Sequence, residues 1–185
     1  MARHEQLWAP WRLAYVSGEA AEKSDSAKRT EPKLLPGADP QCFICRAVAD
    51  GDDRANLIVE RGGQSVVILN RFPYNNGHLL VAPKIHKGRL DELDEAEHAD
   101  MQRLVGKYVL LFERLMKAEG FNVGLNLGKV AGAGLPGHLH WHLVPRWSGD
   151  TNFMPALAGV RVIPQALDAL WELLRTANVS DGAGT

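Results

Sequence analysis

The sequence predicts an α+β domain: an antiparallel sheet of about five strands, one long helix and a C-terminal helix. Three observations carry this. Short apolar runs at NLIVE, SVVILN and GHLLVAP are punctuated by turn-forming residues, with Gly62 and Gly63 marking a hairpin. One stretch, 90–119, repeats Leu93, Ala96, Leu104, Tyr108, Leu111 and Leu115 at helical spacing. In GHLHWHLVPRW (137–147), His138, His140 and His142 alternate with Leu139, Trp141 and Leu143. A strand sends these two sets to opposite faces, whereas a helix scatters both. One face is then core and the other a row of imidazoles about 6.6 Å apart, twice the strand rise.

The elements follow in chain order. Residues 1–17 form an aromatic arm around LWAPWRLAY, too apolar to be left in water and expected to dock on the body or on a second subunit. Residues 18–40 are polar and rich in charge and proline and read as a flexible linker. The folded domain is expected over 41–177. CFICRAVADG opens it as a short helix or turn. Two strands follow, then the turn FPYNNG and a third strand, GHLLVAP (77–83). The long helix is closed by Gly120. FNVGLNLG and HLHWHLVP are the fourth and fifth strands, and Pro145 is expected to end the fifth because it has no N–H for the ladder. Pro164 opens a last helix, 164–177, and 178–185 is expected to be a disordered tail.

Composition excludes several functions. The chain has 185 residues, with 21 Lys plus Arg against 22 Asp plus Glu, so no bulk nucleic-acid binding is expected. No apolar run approaches the ~20 residues that span a bilayer. No signal-like apolar segment opens the chain, and two cysteines are too few for a secreted disulfide scaffold, so a cytoplasmic protein is expected.

The histidine row admits four readings: surface imidazoles, a metal site in which a His-x-His pair needs other ligands, a pH switch, and nucleophilic catalysis by one imidazole. The loop GKVAGAGLPG (128–137) just before it is glycine-rich, and Gly132 and Gly134 can bring backbone N–H groups close to an anion. Lys129 adds charge there or is simply solvated. Cys42 and Cys45, as C-x-x-C, are a redox pair, half a zinc site or two buried thiols.

His138-Leu-His140-Trp-His142-Leu-Val144 resembles the signature of the histidine-triad superfamily of nucleotide hydrolases and transferases. ILNRFPYNNGHLLVAPKIH (68–86) and GLNLG (124–128) are similar to that family's other nucleotide-site segments. LWAPWR and VPRWSGDTNFMP (144–155) resemble the bacterial branch that contains diadenosine-tetraphosphate phosphorylases. The resemblance implies that His140 is the nucleophile on an α-phosphate, forming a nucleotidyl-histidine, and that His142 binds the phosphate or leaving oxygen. It implies Asn126 at the phosphates, Asn70 at the ribose hydroxyls and His78 behind the site. On the residues alone, Asn70 also reads as a turn residue, Asn126 as a strand-end hydrogen bonder and His78 as a structural histidine. The resemblance further implies a structural zinc on Cys42, Cys45, His86 and His138. Phe43 and Ile44 then wall a base pocket or belong to the core.

The implied reaction is diadenosine tetraphosphate plus phosphate to ATP plus ADP, in a homodimer or larger assembly whose sheet is extended by dimerisation. Hydrolysis of dinucleoside polyphosphates or phosphoramidates, with water as acceptor, is the competing enzyme reading. A non-catalytic, zinc-stabilised nucleotide-binding protein is the competitor from another class. One departure stands out: several relatives carry a hydroxyl residue three before the first histidine, where this chain has Leu135 and Pro136 in GLPGH. Without that hydroxyl, amine leaving groups lose a proton donor, whereas polyphosphate leaving groups need little protonation.

Overall fold

A computed structural model of the chain describes residues 33–151 and 162–182. The expected arm (1–17), most of the expected linker and residues 152–161 and 183–185 lie outside the described residues. The chain divides into two compact units. One comprises Lys33–Ser148 with Ile163–Thr185 and holds the sheet and all described helices. The other comprises Met1–Pro32 with Gly149–Val162, and its described residues have no regular structure.

Helix α1, Phe43–Ala49, starts where the Cys42 thiol accepts the Cys45 N–H as its N-cap. Its last carbonyls, orphaned as at any helix end, are taken up by Arg61, which donates to Ala47 O, Val48 O and Asp50 O. Strands β1 (Ile58–Arg61) and β2 (Ser65–Leu69) form the hairpin expected around Gly62–Gly63. Strand β3 (Leu79–Pro83) pairs along its whole length with β2 and, like β2, is buried throughout.

Helix α2, Glu95–Met116, is shorter than the stretch that carries its periodicity. Residues 90–92 form a separate 3-10 turn, because Asp94 caps α2 in a capping box with Glu97. Lys117, not Gly120, ends the helix: it takes the left-handed conformation and its N–H bonds to Phe112 O. Gly120 instead opens strand β4, Gly120–Leu125. Strand β5, Trp141–Arg146, completes an all-antiparallel sheet of order β1-β2-β3-β5-β4.

Three sequence expectations need correction. The regular fifth strand begins at Trp141, so of the histidine row only His142 lies in the ladder. The segment before it is held differently, by Leu139 N–H donating to Lys87 O at 2.6 Å. Pro145 does not end the strand. Its carbonyl accepts from Asn75, beyond the end of β3, so the missing N–H faces a side where no ladder partner exists. Helix α3 spans Leu167–Gly182 rather than 164–177. Its first bond runs from Leu170 N–H to Ala166 O, which leaves Pro164 outside. It continues past 177 because Asn178 donates to Val59 O and to the Tyr108 hydroxyl, so residues 178–182 are helix and not tail.

Cross-strand pairing sets the faces. Leu79, Val81, Trp141 and Leu143 share one, with Leu69 and Val67 in β2. Tyr108 and Phe112 of α2, both fully buried, belong to the same core. His142 shares the other face with Leu80 and Gly124. Sheet edge β1 is covered by α3, where Trp171 Nε1 and Asn178 donate to the Ile58 and Val59 carbonyls. Among the described residues, β4 at the other edge has no strand on its outer side.

Candidate active site

The site lies where β5 emerges from the glycine-rich loop. His140 is buried, and its Nδ1 lies 2.8 Å from the backbone carbonyl of His138. A carbonyl only accepts, so Nδ1 carries the hydrogen and the lone pair sits on Nε2. Burial lowers the His140 pKa, which favours this neutral form. His142 stands beside it, ring centroids 5.0 Å apart. Burial first, then the neighbouring His140, pushes His142 down to about 4.

Behind His142 lies His78, only 1% exposed, with Nε2 2.9 Å from His142 Nδ1. The structure thus sets the His78 ring against His142 rather than on an exposed face. Its position depends on Gly77, which has φ +78°. A Cβ there would lie 3.0 Å from Pro145 Cγ and 3.1 Å from the Phe112 ring. Tyr74 covers the pair, its ring centroid 4.6 Å from His78 and 5.6 Å from His142.

The expected nucleotide contacts are placed as follows. Asn70 follows β2; its Oδ1 accepts from Phe72 N–H and its Nδ2 lies 3.2 Å from His78 Nδ1. The Oδ1 bond lies within the turn, and Nδ2 lies over the His78 ring. Asn126 follows β4, facing the loop: its Nδ2 would stand 4.0 Å from a Cβ on Gly132. Gly132 closes the 3-10 turn Lys129–Ala131 in the left-handed conformation, and its N–H donates to Lys129 O. That N–H is committed to the turn and is not the anion donor the sequence suggested. A side chain added at Gly134 would meet open space. Ile44 is core and Phe43 is 41% exposed.

His138, expected both among the catalytic histidines and as a metal ligand, faces the two cysteines. It is fully buried, and its Nε2–H donates to Pro83 O at 2.9 Å. This turns the Nδ1 lone pair to the thiols, 3.3 Å from Cys42 Sγ and 3.5 Å from Cys45 Sγ. His86 Nδ1 lies 3.2 Å from Cys45 Sγ, and all four ligand atoms lie within 4.8 Å of one another. Tetrahedral bond lengths to a zinc-sized ion place S and N ligands about 3.6 Å apart. Two sulfurs, two inward imidazole nitrogens and a backbone acceptor behind one of them fit a structural metal. Burial pushes the Cys42 thiol up to about 11, so a cation is what would hold a thiolate there. The four residues could hold a metal ion.

The HIT domain family model matches residues 53–149. The AP-4-A phosphorylase of Mycobacterium tuberculosis is 38% identical over 172 residues, 93% of this chain and 83% of that protein. The chain belongs to the HIT domain family. Its similarity to that phosphorylase agrees with the branch expected from the sequence. An adenosine 5'-monophosphoramidase of Schizosaccharomyces pombe is 28% identical over 71% of this HIT chain and 93% of that protein. A Zn-bound histidine triad family protein from Mycobacterium smegmatis superposes with a TM-score of 0.62 at 26% identity, covering 78% and 98% of the two chains. The α+β antiparallel fold is that of HIT proteins.

Sequence reasoning missed four contributors: the Pro83, Lys87 and His138 carbonyls and the Tyr74 main chain. Backbone atoms leave no residue-type signal. Only the turn residues FPYNNG ahead of His78 hinted at the last.

Proposed function

We propose that this HIT protein is a nucleotidyl transferase that cleaves dinucleoside polyphosphates by way of a nucleotide bonded to His140. The observation that carries the reading is the His140 Nδ1–H bond to its own strand's carbonyl. It leaves Nε2 as the lone pair and supports the positive ring once Nε2 has bonded to phosphorus. The similarity to an AP-4-A phosphorylase supports the substrate class.

In the first step, Nε2 bonds to the α-phosphorus of diadenosine tetraphosphate and the bridging P–O bond breaks, releasing ATP. In the second, a phosphate oxygen displaces the imidazole and ADP leaves. Phosphate is already partly dianionic at neutral pH and needs no general base, whereas water does, and Leu135 and Pro136 offer no hydroxyl to relay a proton. His142 donates to the phosphate or leaving oxygen. Asn126 and Gly134 face the phosphates, and Asn70 meets the ribose with its outward edge.

The metal of the Cys42, Cys45, His86, His138 cluster is zinc in this proposal, supported by the donor set and the Zn-bound relative. It ties α1 to the segment that carries His140 and takes no part in bond making. Reduced thiols suit a cytoplasmic setting. We place a homodimer contact at the β4 edge, where Val123 is 43% exposed.

Product analysis tests the activity. Diadenosine tetraphosphate in phosphate buffer should give ATP and ADP; ATP with AMP as its main partner would replace the phosphorylase by a hydrolase. No cleavage by metal-loaded protein would leave a binding protein and refute the enzyme.

A further inference from the structure

His142 faces the reacting phosphate with one nitrogen and His78 with the other, so which nitrogen carries its hydrogen decides whether it can donate. The loop between β2 and β3 bears on that choice. The Tyr74 main-chain N–H points at His78 Nδ1 at 3.1 Å. A backbone N–H only donates, so Nδ1 must be an acceptor. The Asn70 amide lies over the ring rather than in its plane: Phe72 N–H binds its Oδ1 at 2.9 Å, and its Nδ2 is nearly equidistant from the two ring nitrogens, 3.2 Å from Nδ1 and 3.5 Å from Nε2, so it does not compete for the in-plane Nδ1 lone pair. Neutral His78 then carries its hydrogen on Nε2, which lies 2.9 Å from His142 Nδ1. His142 Nδ1 must accept in turn, and its own hydrogen lies on Nε2.

We propose that the 70–78 loop is a tautomer lock, in which the Tyr74 N–H acts through His78 to hold His142 as a neutral Nε2–H donor aimed at the substrate. Tyr74 and His78 are positioning residues in this scheme. The lock also resists protonation. A proton on His142 Nδ1 would set two N–H groups against each other across the His78 contact. Moving the His78 hydrogen to Nδ1 would set it against Tyr74 N–H. Among the described residues, the rings that face His142 are those of His78, His140 and Tyr74, none of them an anion that would favour an imidazolium. The Tyr74 ring adds cover, but the lock itself is a main-chain bond. It therefore makes a demand that residue identity alone does not: position 74 needs an N–H more than it needs an aromatic ring.

The inference rests on the nucleotidyl-transfer reading for its purpose, but its test does not. Long-range 1H–15N NMR on the metal-loaded, ligand-free protein reads the hydrogen position on each imidazole. Wild type should show His78 and His142 both as neutral Nε2–H rings between about pH 6 and 8, the range in which a free imidazole titrates. Tyr74→Ala keeps the N–H and should keep both signatures. Tyr74→Pro deletes the N–H and should give mixed tautomers at His78 and His142. His78→Phe is a second route that leaves the backbone intact: it removes the donor 2.9 Å from His142 Nδ1 and should give mixed tautomers at His142. His142 found as Nδ1–H or as an imidazolium at pH 7 in wild type would overturn the lock. So would an unchanged His142 signature in both Tyr74→Pro and His78→Phe. If the tautomers behave as stated but no nucleotide is transferred, the lock stands and the functional reading fails.

Discussion

Gly77→Ala probes how tightly the backbone behind the histidine pair is built. Gly77 has φ +78°, where an L residue other than glycine costs about 1–2 kcal/mol. The new methyl would stand 3.0 Å from Pro145 Cγ and 3.1 Å from Phe112 Cε1, inside normal contact on both sides. Neither neighbour can retreat easily, since Phe112 is fully buried and Pro145 is held in β5. Overpacking adds about 1–3 kcal/mol, which gives a total of about 2–5 kcal/mol. For a domain of this size, at about 3 °C per kcal/mol, the melting temperature should fall by about 6–15 °C. The control is Gly106→Ala, in the middle of α2 with no heavy atom within 4 Å of the new Cβ. Alanine is the better helix former there and should raise stability by about 1 kcal/mol. Thermal unfolding followed by circular dichroism compares the three proteins. Gly77→Ala melting within a degree or so of wild type would refute the packing argument.

Elemental analysis of purified protein should find about one zinc per chain, as one Cys2His2 set requires. Cys42→Ala or Cys45→Ala should lose it and melt lower. No metal in wild type, with both thiols freely titratable, would end the structural-metal proposal. Acid should destabilise the fold through His142. Its folded pKa, about 4, lies below the ordinary value of 6.5, so between the two the unfolded chain binds more protons. The stability contributed by neutral His142 is fully present above pH 6.5 and is lost as pH falls towards 4. Denaturant midpoints measured across that range test this by comparing wild type with His142→Gln, which should lose part of the slope. An identical slope in the two would contradict the assignment.

Much of the fold was legible because side-chain period and turn residues are local signals. The alternation in HLHWHLV separated core Leu143 from His142, and Gly62–Gly63 marked its hairpin. What was not legible depends on contacts between distant segments. Pro145 stays in its strand because β3 has already ended beside it, and α3 runs on because Asn178 finds Val59 and Tyr108. Gly132 resembles an anion-binding glycine in sequence, yet the fold commits its N–H to a turn. The roles of the three histidines show the same division. Their spacing put them together, but backbone carbonyls turned one inward to the thiols and left another with its lone pair outward. Residue types named the candidates; main-chain acceptors that no residue type reveals divided the work among them.

The central claim is that His140 bonds to the nucleotide. It is tested most directly by mixing metal-loaded protein with diadenosine tetraphosphate without phosphate, quenching in base because phosphoramidates are acid-labile, and mapping the modified peptide by mass spectrometry. An adenylyl group on His140 is predicted in wild type and none in His140→Ala, which should still bind the nucleotide while losing turnover. An adduct on another residue, or turnover in His140→Ala within about tenfold of wild type, a loss of under about 1.4 kcal/mol, would contradict the account.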